Sequence, residues 1–177
     1  MDYALLLCFD AVSENRFLDL IRTISDRTKN GYMLDAKIPP HITVSFFRTS
    51  QISPIVEAID NRISEFHTGK IEWASLGVFI PHVLFAAPVL DTYLTDCCVL
   101  ANDIVGPLSD VGDEGHYLPG QWVAHTALAV RLSPDELKTA FEVALSHFLA
   151  VKGESIKLVL GECNPYKEVK VWNLRGS

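Results

Sequence analysis

One order of elements runs through this chain twice, and that repetition limits the possible folds more than any single motif. Residues 2–10, "DYALLLCFD", form a compact apolar run of strand length. Phe17, Leu18, Ile21 and Ile24 then recur at helical spacing over 12–29. A Gly/Pro loop (31–40) leads to a strand over 41–47. Ser53-Pro54 reads as a helix start, with Ser as cap and Pro in the first turn, and it opens a helix with Ile55, Val56, Ile59, Ile63 and Phe66 on one side. A strand near 70–80 ends at Pro81. The order then recurs. "HVLFAAPV" (82–89) is a strand, and 91–108 is a helix with Leu94, Cys97, Cys98, Ala101, Ile104 and Val105 along one side. The loop "SDVGDEGHYLPGQ" leads to a strand over 122–131, "WVAHTALAVR". Ser133 and Glu136 form a capping box ahead of a further helix, and strands near 155–163 and 168–174 finish the chain.

Each half therefore reads strand, helix, strand, Ser-Pro-started helix, strand. The expected fold is α+β: a single domain over 1–177, made of two β-α-β-α-β lobes of roughly 1–81 and 82–177, with exchange of strands between them allowed. Helices covering one face of each sheet leave the other face open, so two such lobes would meet across a central cleft.

Composition supports a packed domain. The 177 residues are 49% hydrophobic and 21% charged, enough apolar material for a core. No apolar run approaches the roughly 20 residues that span a bilayer. The N-terminus has an acid at position 2 and no small-residue cleavage site after its short apolar run, so the expected location is cytoplasmic and off the membrane. Four cysteines show neither CxxC nor Cys/His ligand spacing and read as buried thiols. A formal charge of −7 argues against an extended grip on nucleic-acid backbone, but leaves room for a pocket that takes one phosphate. A monomer is expected.

The chemistry rests on two histidines. His41 and Thr43 share a face of the strand 41–47, and His125 occupies the matching strand of the second half. A lone histidine on an apolar strand is most simply a core or edge residue. Two that the fold brings opposite one another are what phosphodiester chemistry needs. One takes a proton from the attacking hydroxyl or water and the other gives one to the departing oxygen, with no metal or other cofactor required.

"HITV" at 41–44, in the context "PPHIT", and "HTAL" at 125–128 resemble the paired His-x-Thr/Ser motifs of the two-histidine (2H) phosphoesterase superfamily, which includes 2'-5' RNA ligase-like proteins and cyclic phosphodiesterases. With the duplication, the resemblance covers nearly the whole chain. It implies a bilobal fold with a cleft between lobes, His41 and His125 as base and acid, and Thr43 on the phosphate. The implied partner is an RNA end or small nucleotide carrying a 2',3'-cyclic phosphate or a 2'-5' linkage. The second motif departs from the pattern: position +2 is Ala127, and the hydroxyl sits at +1 on Thr126. Thr126 is kept as a phosphate candidate, although strand parity turns it away from the cleft unless a bulge over 122–125 re-aims it.

Arg131, which ends the second motif's strand as Arg48 ends the first, is the other phosphate candidate. His116 and Tyr117 lie in the loop ahead of the second motif and are candidate contacts for a base or ribose. Parity places Trp122 opposite His125, in the core. His67, His82 and His147 sit at element ends without partners of interest. No HExxH, acidic pair, G-x-S-x-G or glycine-rich phosphate loop is present, so no metal ligands are assigned. The rival reading is a non-catalytic nucleotide- or RNA-end-binding module, in which Ala127 marks lost chemistry.

Overall fold

The computed structural model describes Met1 to Gly176. The first half runs β1 (Asp2–Phe9), α1 (Ala11–Thr28), a single turn α2 (Tyr32–Asp35), β2 (His41–Arg48), α3 (Ser53–Arg62) and β3 (Gly69–Phe79). The second runs β4 (Val83–Pro88), α4 (Thr92–Val105), the two-residue β5 (Asp110–Val111), β6 (Thr126–Ala129), α5 (Pro134–His147) and β7 (Val151–Glu162), with β8 (Lys167–Asn173) added at the end. The α+β class predicted from the sequence is the class observed.

The halves of the chain are not the halves of the structure. All strands join one antiparallel sheet in the order β5-β2-β1-β7-β3-β4-β6, with β8 on β7. β3 and β7 begin paired with each other, Gly69–Trp73 against Val151–Ser155. They then part: β7 continues along β1 and β3 along β4. Each half thus gives its third strand to the other, which produces two matching arrays, β2-β1-β7 and β6-β4-β3. The helices cross over as well, since α1 packs on β6 and α5, whereas α4 packs on β2 and α3.

Trp73, where the two exchanged strands part, has no exposed surface. Its indole lies edge-on to Phe9 at 4.7 Å and to Phe17 at 5.0 Å, and its Nε1–H donates to the Thr126 hydroxyl at 3.0 Å. Residues from both halves meet on this one side chain. β1 is buried on both faces, which explains its unbroken apolar run. Leu5, Leu7 and Phe9 enter the main core, while Ala4, Leu6 and Cys8 join a smaller cluster with Val159.

Local chemistry fixes the helix ends. The Asp10 carboxylate caps α1 by accepting from Val12 N and Ser13 N, both at 3.0 Å. It also accepts from Glu154 N of β7 at 2.8 Å, tying the helix start to an exchanged strand. Gly153 is required beside it, because a Cβ there would lie 1.9 Å from Ser13 Oγ. Lys29 closes α1 in the left-handed conformation (φ 63°). The Ser133–Glu136 capping box forms as expected. Two expectations need correction. Ile52, not Ser53, is the N-cap of α3, and no side chain caps it: the chain is already helical at Ile52, so Ser53 and Pro54 are the first residues inside. The strand predicted over 122–131 is confined to Thr126–Ala129, because β4 pairs with it only over Leu84–Ala86. No helix of the described residues is long and apolar enough to cross a membrane.

Asp10→Ala should destabilise the fold by about 1–3 kcal/mol, combining loss of a helix cap with a partly buried Glu154 N–H left unpaired. Asp10→Asn, which keeps an acceptor, should cost less. Urea unfolding of both variants checks this, and equal losses would contradict it.

Candidate active site

His41 opens β2 and His125 immediately precedes β6. Both are half-buried, and both rings are anchored in the same way. His41 Nδ1 lies 2.7 Å from the Pro39 carbonyl, and His125 Nδ1 lies 2.8 Å from the Val123 carbonyl. A carbonyl oxygen only accepts, so Nδ1 carries the proton in each ring. The neutral imidazoles therefore hold their lone pairs on Nε2, the nitrogen left to meet a ligand. In each case the acceptor is two residues upstream, in the irregular segment that leads into the strand.

The two rings line one cavity of about 510 Å³, within the range of small-ligand sites. Thr43, Ala127, Asp113, His116 and Tyr117 line it too. Around His125 the walls are aromatic. Phe79 meets the ring edge-on at 4.9 Å, Phe85 lies at 5.4 Å and Tyr117 at 6.2 Å. Tyr117 is itself stacked on Phe46 at 5.7 Å. The His41 side carries Thr43, buried to 7% exposure, at the place where the second motif has Ala127.

The electrostatics of the pair are unequal. Burial pushes His41 down to about 4, the Pro39 carbonyl opposes this, and a charge on His125 would add to the depression. Burial also lowers His125, but the Val123 carbonyl and the Asp113 carboxylate both work against it. His41 is thus the ring held neutral, and His125 the one with a carboxylate in its favour.

Of the residues singled out from sequence, His41, His125, Thr43, His116 and Tyr117 come together in this cavity. Thr126 does not. It is fully buried and its hydroxyl accepts from Trp73, so it is part of the interior and no phosphate ligand. Arg131 does not line the cavity: the chain turns through a left-handed conformation there (φ 57°), and the guanidinium lies over the Tyr32 ring at 4.0 Å, beside an adjoining depression that shares Tyr32, Val83 and Val130 with it. Arg48 pairs with Asp2 on the surface at 2.9 Å. Trp122 lies in a loop and not on a strand, yet it is half-buried against the core as expected. Its Nε1–H donates to the Thr43 carbonyl at 2.9 Å and binds the loop to the first motif. The ring of His82 donates to the Leu132 carbonyl and that of His147 to the Val143 carbonyl.

Three contributors were not read from the sequence. Asn102, midway along α4, donates to the Val44 carbonyl at 3.0 Å and the Tyr117 carbonyl at 3.1 Å, fixing the loop against the edge of β2. An Asn inside an apolar helix pattern was the available signal. Phe79 and Asp113 come from a strand end and an acidic loop that gave no motif. Cys8, Cys97, Cys98 and Cys163 are free thiols, and burial pushes each up, Cys8 to about 12 and the others to about 11. Among the described residues, no three His, Cys, Asp or Glu side chains gather as a metal site.

Neither a protein-family model nor a curated protein matches this sequence. Solved structures do match the fold along its full length. TT0787 of Thermus thermophilus superposes with a TM-score of 0.62 at 17% identity, covering 99% of each chain. LigT of Escherichia coli in its apo form gives 0.58 at 10% identity, covering 98% of this chain and 97% of that one. Usb1 of Kluyveromyces marxianus gives 0.53 at 13%, covering 98% of both. LigT is also known in complex with 3'-AMP and with NADP+, and Usb1 with uridine monophosphate. The chain has the fold of these proteins, the α+β fold that the paired histidine motifs implied.

Because His41 binds a proton more weakly in the folded chain (about 4) than unfolded (about 6.5), unfolding takes up a proton between those values. Its contribution to stability is complete above pH 6.5 and is lost as pH falls toward 4. His41→Gln should therefore flatten the decline in unfolding free energy between pH 7 and 5. Parallel pH dependences in mutant and parent would contradict the depressed His41.

Proposed function

We propose that this chain is a metal-independent phosphodiesterase of the two-histidine (2H) type, acting on 2',3'-cyclic phosphates or 2'-5' linkages at RNA or nucleotide ends. The observation that carries the reading is the matched anchoring of two imidazoles on one cavity, each with Nδ1 engaged and Nε2 left available. The fold shared with LigT and Usb1, and the nucleotides those two proteins bind, support it. Four free cysteines fit a cytoplasmic setting.

His41, held neutral, is the base. Its Nε2 takes the proton of the attacking water as the water oxygen bonds to phosphorus. The bond from phosphorus to one ribose oxygen of the cyclic ester breaks, and protonated His125 gives its Nε2 proton to that oxygen. The product is a phosphomonoester, and proton exchange with water restores the pair. Thr43 donates to a non-bridging oxygen, and the Asp113 carboxylate keeps His125 charged to higher pH. Ala127, which brings no hydroxyl, favours the second reading, a module that binds nucleotide ends without turning them over.

Purified protein in EDTA should cleave a nucleoside 2',3'-cyclic phosphate with a bell-shaped pH dependence of kcat/KM. Either His→Ala substitution should cost on the order of 10²–10⁴-fold, the usual scale for a positioned proton donor or acceptor. Binding without turnover would support the module, and loss of activity in chelator would overturn the two-imidazole chemistry. Asp113→Asn should move the alkaline limb to lower pH, because the carboxylate supports the charged His125. Ala127→Thr should raise kcat/KM several-fold, since a hydrogen bond to a charged group is worth roughly 1.5–3 kcal/mol. A fall would mean that the +2 position has no room for a hydroxyl.

A further inference from the structure

Each histidine motif is followed by a break in its strand's pairing at the same place. Across β1 and β2, Leu6 pairs with Thr43 and Leu5 with Ser45, which leaves Val44 as an extra residue. Across β4 and β6, Phe85 pairs with Ala127 and Leu84 with Ala129, which leaves Leu128 as an extra residue. A β-bulge of this kind bends its strand and re-aims the side chains beyond it. On a regular strand, Ser45 and Ala129 would follow the motif residues onto the cavity side. Instead Ser45 is fully buried against α4 and Ala129 lies in the core, while Phe46 and Val130 come round to the cavity side. The same step takes Arg131 off that side.

A bulge leaves backbone groups without ladder partners, and the two strands meet this differently. At the first bulge the Asn102 amide does so: Nδ2 donates to the Val44 carbonyl at 3.0 Å, and Oδ1 accepts from the Ser45 hydroxyl at 3.1 Å. The same Nδ2 reaches the Cys98 carbonyl of its own helix at 2.9 Å and the Tyr117 carbonyl at 3.1 Å. Carbonyls around the nitrogen and a hydroxyl on the oxygen fix the orientation of the amide. Among the described residues, no side-chain amide meets the second bulge. Leu128 and Ala129 are packed in the core there, and the Asn30 amide reaches only the later carbonyls of Val130 and Arg131, at 3.3 and 3.4 Å. Asn102 thus joins two walls of the site. Phe46, turned outward by the bulge, carries the Tyr117 ring at 5.7 Å, and Tyr117 lies 6.2 Å from His125. Gly112, at the start of the loop, is so close to Phe46 that a Cβ would lie 2.5 Å from its ring.

We propose that Asn102 is a positioning residue for the catalytic pair: by holding the bulge at Val44 together with the Tyr117 carbonyl, it sets Thr43 and the Phe46–Tyr117 stack in place relative to His125. The inference rests on the phosphodiesterase reading and adds to it a residue that touches no substrate. Asn102 does not line the cavity, so its effect passes through the strand and the loop that it joins. The Trp122 indole supports the same join from the loop, since it meets the Thr43 carbonyl just ahead of the bulge. Without the amide both imidazoles keep their own anchors, the Pro39 and Val123 carbonyls, so a phosphate is still bound. What is lost is the alignment of Thr43 and the loop with the reacting atoms, and a misplacement of about 1 Å is enough to cost on the order of 100-fold in rate.

Asn102→Leu nearly keeps the volume and removes the amide. On adenosine 2',3'-cyclic phosphate, kcat should fall about 10- to 100-fold while KM stays within about threefold. Asp10→Ala, which weakens the fold at the start of α1 and away from the cavity, controls for lost stability alone and should keep kcat within about twofold. Should Asn102→Leu fail to fold, Asn102→Ser, which is smaller and keeps one donor, is read by the same split between kcat and KM. A smaller fall in kcat, a loss carried mainly by KM, or an equal loss in Asp10→Ala would overturn the positioning role. NMR separates this from failure of the function itself. If the parent turns over no cyclic phosphate, nuclear Overhauser contacts between the Phe46 and Tyr117 rings decide the matter. Their loss in the Asn102 variant with retention in Asp10→Ala is the expected result. Retention in both variants, or loss in both, would overturn the inference independently of catalysis.

Discussion

Everything about the site depends on the exchange of β3 and β7. The strands that carry the two histidine motifs, β2 and β6, lie at or near the margins of the sheet, β2 flanked on its outer side by the two-residue β5 alone. Each is held through one inner neighbour, β1 or β4, and each inner neighbour is backed by a third strand from the opposite half. Separating the chain halves would leave both motif strands on two-stranded ribbons, which are marginal in water. Because the exchanged strands also pair with each other, one continuous hydrogen-bonded sheet fixes where His41 stands relative to His125. Trp73, gripping Phe9, Phe17 and Thr126 together, makes that join rigid from the core side.

The repeated frame places two equivalent imidazoles, and the differences between the halves then give them different work. Both rings use a carbonyl two residues upstream to fix Nδ1, so geometry alone does not distinguish them. Their surroundings do. Phe79, Phe85 and Tyr117 enclose His125 and burial lowers its proton affinity, while the Val123 carbonyl and the Asp113 carboxylate offset part of that cost. His41 is held neutral by its burial, and a charge on His125 would depress it further. A base and an acid with similar frames but separated proton affinities are what concerted proton transfer asks for.

The architecture was legible because helices, caps and apolar strands report their own periodicity, and the duplicated order of elements pointed to paired motifs. The strand over 122–131 is four residues long in the structure and starts after His125, so Trp122 lies in a loop, where it still packs against the core. Thr126 fails as a phosphate candidate, not by its parity. Thr126 still points inward as parity required, but it serves Trp73, a partner far away in sequence that no local pattern announces. Arg131 failed for a different reason: a left-handed turn at its own position swings it to Tyr32. Asn102 acts through tertiary contacts to the loop, and Asp113 acts from within that loop on His125, and sequence spacing carries no trace of either.

The central claim is that His41 and His125 grip one phosphate between them. A crystal structure of the protein with a nucleoside 3'-monophosphate tests it most directly. The account predicts a phosphate in the cavity that both rings line, with Nε2 of both rings and the Thr43 hydroxyl at hydrogen-bond distance, about 2.7–3.2 Å. A phosphate bound elsewhere, or one reached by a single imidazole while the other turns into the protein, would contradict it.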